Sequence, residues 1–545
     1  MVTDRRSPGS SLRRITRRIR ERVEPAVRSA GRRLGALLGS DVLTLALIAL
    51  AVVGNAIILP VPAVAVLALV IVVALLVVAR NPLTLIVLYG ISIFVIPTRF
   101  GLKGQSLVMV LGLVALGLWA FFRLQDGPAP SRRSNALPLV LAAFLAMRLV
   151  QYANAALHHR TPDRITAADR QIILVLSFIG IALFVSELAR SRSRRRAVVM
   201  VVVMGTAFMA AVAVAEFAIG IEIDDLLRPP GFVSGARDDG GGALFAPDRF
   251  GIDRVFGTAN GVIEFAAVLS AALPLATYVA LRGAATWERN VGRLTVLLII
   301  VGLPLAVTRT GVVGFVLAGV LTLAGLPKGQ RARALGAFAA GFAVLLLFFP
   351  AVTDATIGLV KDFTGTQAEN VGLEGRTGDY EIVWDLVQDQ ALLGEGLQTH
   401  DPILPRQVEG GRIRNLFLDN QYLSELLAGG VLGVLSLLSL PVSGVLAAGR
   451  VRRVATDDDD VALAGALRAT VIVLAVTWSF YDSFSTRSAT GLFFLVFGLL
   501  SALVASAAGV DVDGPAPVQP PRRDAAQARS APEPVAAAAA TGTTA

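Results

Sequence analysis

LTVLLIIVGLPLAVTRTGVVGFVLAGVLTLAG, residues 294–325, contains one charged side chain, Arg309, flanked on each side by about fifteen residues that are almost all Leu, Val, Ile, Ala and Gly. Neither flank carries the polar stripe with which a helix on a soluble domain faces water. Each therefore reads as one leg of a helical hairpin in a bilayer, turning at Arg309. A charge so close to hydrocarbon is costly and normally faces a polar cavity or a partner; the competing reading is an arginine that simply marks a tight external turn. Gly311, Gly314 and Gly319 let another backbone approach the second leg.

The pattern is not confined to this stretch. With 54% hydrophobic and 17% charged residues over 545 positions, the chain has more apolar surface than one soluble core buries. The apolar runs predict an all-α, polytopic membrane protein of about 14 transmembrane helices. They lie near 42–60, 62–79, 83–97, 105–122, 136–153, 171–188, 197–219, 262–281, 293–308, 311–326, 334–350, 421–447, 465–482 and 489–507. Residues 1–40 precede them as a basic arm in which Leu12, Ile15, Ile19 and Val23 recur at helical spacing among arginines. That suits a helix lying on anionic lipid, or a solvated charge run that only fixes topology. The membrane domain then spans 41–509, and 510–545, rich in Ala, Pro, Gln and Arg, reads as a disordered tail.

A net charge of +10 raises the question of nucleic acid. The arginines, however, sit in short clusters between apolar runs, where they act as orientation signals, so nucleic acid is set aside as a partner. With the N-terminus inside, Arg132 and Arg133, the cluster at 190–196, Arg282, Arg289 and Arg293, Lys328, Arg331 and Arg333, and Arg450, Arg452 and Arg453 all fall in the cytoplasm. The same parity makes both termini cytoplasmic and puts the two long segments, 220–261 and 351–420, outside. Cysteine is absent and only three histidines occur, so neither a disulfide framework nor a thiolate metal site is available.

The external segments hold the candidates for chemistry. DRFGIDRVFGTANGVIEF, 248–265, leads into a predicted span and puts Arg249 and Arg254 at the membrane surface, where a guanidinium grips phosphate bidentately or snorkels to headgroups. In GLEGRTGDYEIVWDLVQDQALLGEGLQTH, 372–400, Ile382, Val383 and Leu386 alternate with Glu381, Asp385, Gln388 and Asp389 as an amphipathic helix; Arg376 precedes it and His400 follows it. RIRNLFLDNQYLSELLAGGVLG, 412–433, places Asp419, Asn420 and Tyr422 where the chain re-enters the membrane. Asp419 there suits a general base toward a sugar hydroxyl, with burial raising its basicity, or equally an N-cap of the next helix. No Walker loop, G-x-S-x-G, H-E-x-x-H or paired-Asp nucleotide-sugar signature occurs, which favours a donor supplied from the membrane.

RVFGTANGVIEFA, LAVTRTGVVG, GRTGDYEIVWDLVQDQALLGEGL and LDNQYLSELLAGGVLG, within 250–433, together resemble the O-antigen ligase and O-antigen polymerase superfamily of bacterial polysaccharide assembly. The resemblance implies a helical glycosyltransferase of the cell membrane, active on its external face, that uses a polyprenyl-diphosphate-linked glycan and requires no nucleotide sugar, metal or other cofactor. It implies that Arg254, Arg309 and Arg376 hold the diphosphate, where charge develops as the glycosidic bond breaks. Ligases of the family commonly carry a histidine at the loop exit; this chain has Asp419-Asn420 there, which leans toward a polymerase with Asp419, or else His400, as base and Asn420 and Tyr422 as substrate-binding neighbours. A proline usual before the LLGEG turn is Ala391 here.

The expected function is extension of a surface polysaccharide by transfer to a lipid-linked acceptor, beside membrane lipid and other assembly proteins. Ligase-type transfer of finished polymer to another acceptor is the nearest alternative. A 14-span flippase or transporter is a third reading, against which stands the lack of an internal repeat, and a scaffold without activity is a fourth.

The absence of native cysteine makes the topology directly testable. Ser234→Cys and Thr366→Cys should each react with an impermeant thiol reagent in intact cells; labelling only after lysis would invert the orientation.

Overall fold

A computed structural model describes residues 81–97, 106–126, 135–158, 162–220, 252–326, 328–348, 383–397 and 420–507, with short pieces at 100–101, 223, 227, 232–234, 246–249, 357–358, 380, 406–409, 412–415 and 418. The expected arm, the spans at 42–60 and 62–79, the tail, and Arg376, His400 and Asp419 lie outside the described residues. Among the described residues the helices are α1 (Leu83–Phe94), α2 (Leu107–Asp126), α3 (Leu137–His158), α4 (Pro162–Leu188), α5 (Arg192–Ile219), α6 (Val262–Arg282), α7 (Thr286–Gly302), α8 (Arg309–Gly325), α9 (Lys328–Phe348), α10 (Gln421–Val454), α11 (Asp458–Thr477) and α12 (Ser488–Ala507). Three small antiparallel ladders complete them: β1 (Phe100–Gly101) with β2 (Val233–Ser234), β3 (Ala246–Arg249) with β4 (Ile252–Arg254), and β5 (Arg406–Glu409) with β6 (Arg412–Asn415).

The protein is all-α in its framework and multi-pass. Nine of the described helices are long and apolar enough to cross a membrane, and α1 and α8 are shorter apolar helices. Every predicted run from 83–97 onward coincides with a helix, but the count of 14 is not reached among the described residues. Boundaries differ where polar turns extend a helix past the hydrocarbon: α4 begins at Pro162 instead of 171, and α10 continues through Arg452 and Arg453. The amphipathic helix expected in the large loop is helical where it is described, at 380 and 383–387, and ends in a 3-10 turn, Gln388–Gln390; Val383 and Val387 are buried against Leu418, Leu423 and Leu427, while Trp384 and Asp385 are exposed.

Helices α6 and α12 form the centre, each with 94% of its apolar window buried inside the protein. Around them pack α5, α7, α8 and α11 against α6, and α4 and α10 against α12. At one end the arginine-bearing turns come together. Arg192 pairs with Asp457 and Asp459 at 2.7 and 2.8 Å, and Arg195 with Asp460 at 3.0 Å. The three acids of the first turn of α11 suit its N-terminal dipole, and they neutralise arginines that alone would oppose the dipole of α5. We refer to this as the basic end; the starts of α6, α8, α10 and α12 lie at the other.

One helix is broken. Inside α10, Gly430 has φ 59° and ψ −158°, a region essentially closed to side-chain-bearing residues. The break frees backbone groups, and the segment 391–397 takes them up. Glu395 and Gly396 N–H donate to the carbonyls of Leu427 and Ala428 at 2.8 and 3.0 Å. Val431 and Leu432 N–H donate in return to the carbonyls of Ala391 and Leu392 at 2.8 and 3.3 Å. A side chain at Gly430 would also collide with the Ala391 and Leu392 carbonyls.

Gly430→Ala should therefore lose at least about 1–3 kcal/mol from backbone strain alone, read as a lower Tm of the detergent-purified protein. Gly319→Ala, on a helix face where a Cβ meets nothing within 4 Å, should leave Tm unchanged or raise it. Equal Tm for the two variants would contradict the patched-break account.

Candidate active site at the motif end of the bundle

The stretch RVFGTANGVIEFA enters α6 through a series of backbone and carboxylate contacts. The Glu216 carboxylate, at the end of α5, accepts from Ile223 N–H at 3.2 Å and from Gly257 N–H at 3.1 Å. Gly257 takes up φ 53°, and Thr258 donates its hydroxyl to the Phe94 carbonyl at the end of α1, 2.6 Å away. The Glu264 carboxylate, only 2% exposed, accepts from Asn260 N–H at 2.8 Å and from Ser488 N–H at 2.7 Å. It thus sits at the N-termini of both central helices, where the dipoles favour an anion. Beside it, burial lowers the Arg487 guanidinium from its usual value while the Glu264 charge pulls it back up. The result is a rigid seat for the chain carrying Arg254, the last residue of β4 and half-buried.

Arg309 is the first residue of α8. Thr308 caps the helix, its hydroxyl oxygen accepting from Gly311 N–H at 3.0 Å. Val307, just before, stands at φ 43°, the one positive-φ residue other than glycine among the described residues. A β-branched residue in that conformation is a genuine outlier, and a cation in the first turn of a helix opposes the helix dipole. Two local costs therefore converge on this turn. Val307 packs with Leu305, Val255 and Phe217, so the residue next to Arg254 and the residue two before Arg309 share one small cluster. Arg254 and Arg309 thus flank this cluster in sequence, one residue and two residues from its members Val255 and Val307.

The loop exit forms the other half of this end. Asn420 is the N-cap of α10: its side-chain oxygen accepts from Tyr422 N–H at 2.9 Å and Leu423 N–H at 3.4 Å, while its amide donates to the Tyr380 hydroxyl at 3.2 Å. Of the Asp419-Asn420 pair, capping thus falls to Asn420. The Tyr422 hydroxyl donates to the Ala475 carbonyl at 2.7 Å and its ring meets Trp478 edge-on, so this side chain is engaged in joining α10 to α11. Gln421 ties the same point to the turn before α12, accepting from Phe484 N–H at 2.7 Å. That turn reaches Glu264 through Ser488, which links the two halves.

Beneath the loop exit lies a charged cluster that the sequence reading did not single out. Arg148 on α3 forms an ion pair with the Glu425 carboxylate on α10 at 2.5 Å and donates to the Gln151 side-chain carbonyl at 3.0 Å, and Gln151 in turn donates to Glu425. All three are at most 3% exposed. Arg148 also lies between the rings of Phe144 and Phe484, 4.8 and 4.9 Å from their centroids. Gly429 leaves the space for it, since a Cβ there would collide with the Gln151 amide. Leu397 N–H donates to the Gln151 carbonyl at 3.2 Å and the Asn154 amide to the Gly394 carbonyl at 2.8 Å, so α3, the 391–397 segment and α10 lock together. The sequence signal was available: Arg148, Glu216, Glu264 and Glu425 are charges inside apolar helices, which are functional or structural by default.

Residues 294–438 match the protein-family model described as O-antigen ligase. A comparison with curated proteins finds no match. The matched span runs from α7 through Arg309 and the large loop to the middle of α10, so it contains the strained turn, the patched break and the loop exit. Over 294–438 this multi-pass membrane protein is similar to the O-antigen ligases, the same O-antigen ligase and O-antigen polymerase superfamily that its motifs resemble.

Proposed function

We propose that the protein is an integral-membrane glycosyltransferase that moves a glycan from polyprenyl diphosphate to a hydroxyl of a lipid-linked sugar, extending a surface polysaccharide on the external face of the cell membrane. The observation that carries this reading is the turn at Val307–Arg309. A guanidinium and the positive end of the α8 dipole lie together there, and the pair suits a phosphate-bearing leaving group. The strain at Val307 and the match over 294–438 support the same place.

In the proposed reaction the acceptor oxygen attacks the anomeric carbon and the bond from that carbon to the diphosphate oxygen breaks. Polyprenyl diphosphate leaves with the bonding pair, and the acceptor proton passes to Asp419. Arg254, Arg309 and Arg376 bind the departing charge, and Asn420 and Tyr422 lie beside the base at the loop exit. No nucleotide sugar, metal or other cofactor enters this scheme. His400 is the alternative base. The family match favours a second reading, in which finished polymer is transferred once to a different acceptor. Product length separates the two, since a polymerase produces a ladder of lengthening chains and a ligase does not.

Replacing Arg309 by Lys keeps the charge but removes the planar fork, and glycan extension should fall sharply; Arg309→Ala should lower it by about a hundredfold or more. Both proteins should still reach the membrane. Normal polymer length from Arg309→Ala would refute the diphosphate role.

Asp419→Asn keeps a hydrogen-bonding oxygen but cannot take a proton, so activity should fall by roughly two or more orders of magnitude if Asp419 is the base. Activity retained in Asp419→Asn and lost in His400→Ala would transfer the role to the histidine and favour the ligase reading.

A further inference from the structure

The opposite end of the bundle holds a second candidate binding site. A cavity of about 270 Å³ opens between α6, α8 and α11, and one of about 490 Å³ adjoins it between α6, α7 and α9. The two share Thr277, Leu281 and Gln330 as a common wall. Together they far exceed the space of a bridging water, which occupies about 30 Å³, and match the size of ligand pockets.

The lining has two characters. Arg282 and Arg452 border the first cavity, facing a single acid, Asp458, and Arg293 borders the second. Neighbouring Arg192 and Arg195 are held in ion pairs by the acids of α11, whereas Arg282 and Arg452 have no ion-pair or hydrogen-bond partner among the described residues. The rest of the lining is largely apolar, with Leu321, Val461, Val296 and Phe338. Three hydroxyl-bearing side chains, Thr277, Tyr278 and Thr322, interrupt it. Thr277 and Thr322 are each 7% exposed, line the first cavity and make no hydrogen bond. A hydroxyl on a helix normally donates to a carbonyl one turn back, as Ser186 and Thr477 do here at 2.7 and 2.9 Å. Their oxygens are closed off in the cavity wall as it stands, so partnering something that enters the cavity takes a turn of each side chain to another rotamer, a change favoured because a buried hydroxyl without a partner is costly.

We propose that this groove binds an anionic phospholipid, its phosphate headgroup held by Arg282 and Arg452 with the Thr277 and Thr322 hydroxyls donating to it, and an acyl chain lying in the adjoining apolar cavity. The basic rim and apolar lining match the two parts of such a lipid. The site is separate from the proposed catalytic end. Arg282 closes α6 and Glu264 opens it, and a 21-residue helix is about 30 Å long.

The test is native mass spectrometry of the full-length protein in detergent with equal amounts of phosphatidylglycerol and phosphatidylcholine, repeated with millimolar inorganic phosphate. Phosphatidylglycerol should be retained over phosphatidylcholine by at least about tenfold, since each arginine near a headgroup contributes about 1 kcal/mol, a factor of about five. Arg282→Gln with Arg452→Gln should remove that preference. Thr277→Val with Thr322→Val keeps the shape and removes only the unpartnered hydroxyls. It should weaken phosphatidylglycerol retention without lowering Tm, and it decides the matter if the arginine variant does not fold. Equal retention of the two lipids, or an unchanged preference in the threonine variant, would overturn the proposal. Displacement of phosphatidylglycerol by inorganic phosphate would overturn it in favour of a free-phosphate site.

Discussion

A chain inside hydrocarbon has no water with which to satisfy a broken helix, so every freed N–H and C=O must find a partner within the protein. The break at Gly430 meets that constraint through one segment. Residues 391–397 supply two donors and two acceptors to the interrupted helix, and in doing so they are held at a fixed depth in the bundle. The two stretches QALLGEGL and SELLAGGVLG are thus two sides of one hydrogen-bonded joint. The large loop departs from one side of the joint and returns to α10 at Asn420, the residue that follows the proposed base, Asp419, in sequence.

The buried cluster of Arg148, Gln151 and Glu425 holds the same joint from below. Removing two charges from water is expensive, and a buried pair is weak evidence for net stability. Here the charges answer one another: Glu425 meets Arg148 and Gln151, and Arg148 meets Gln151 and two aromatic faces, with its Nε left without a hydrogen bond. Such a cluster fixes α3 and α10 in one relative position, and with them the 391–397 segment that bonds to both. Glu264 does the equivalent for α6 and α12. Rigid support of this kind is what a site needs in order to hold a leaving group and an attacking oxygen in line.

Much of the framework was legible in the sequence, because apolar runs of membrane length have few other meanings. The helices from Leu83 onward fall where the runs predict them, and the turn at Arg309 is a helix start next to a 3-10 turn. The break in α10 was not legible: Gly429-Gly430 among leucines reads as close packing, and only the φ of Gly430 distinguishes the two. The charged members of the cluster were legible singly, as charges inside apolar helices, but the cluster's pairing was not, since Gln151 and Glu425 lie 274 residues apart. A helix cap at the loop exit was legible, but as an alternative role for Asp419; the cap is Asn420, the next residue, which the sequence reading assigns to substrate. The packing of Val255 beside Val307, which brings the stretches carrying Arg254 and Arg309 to one six-residue apolar cluster, has no sequence signature, and neither has the strain at Val307.

The central claim is that glycan transfer uses only a membrane-borne diphosphate donor. Reconstitution of the purified protein in liposomes with polyprenyl-diphosphate-linked repeat units, without nucleotide sugar and in the presence of a chelator, measures this directly. The account predicts release of free polyprenyl diphosphate, one molecule for each repeat added to a lengthening lipid-linked glycan. Lipid-linked repeats that cross the bilayer intact, with no diphosphate released and no chain lengthened, would show a transporter and contradict it.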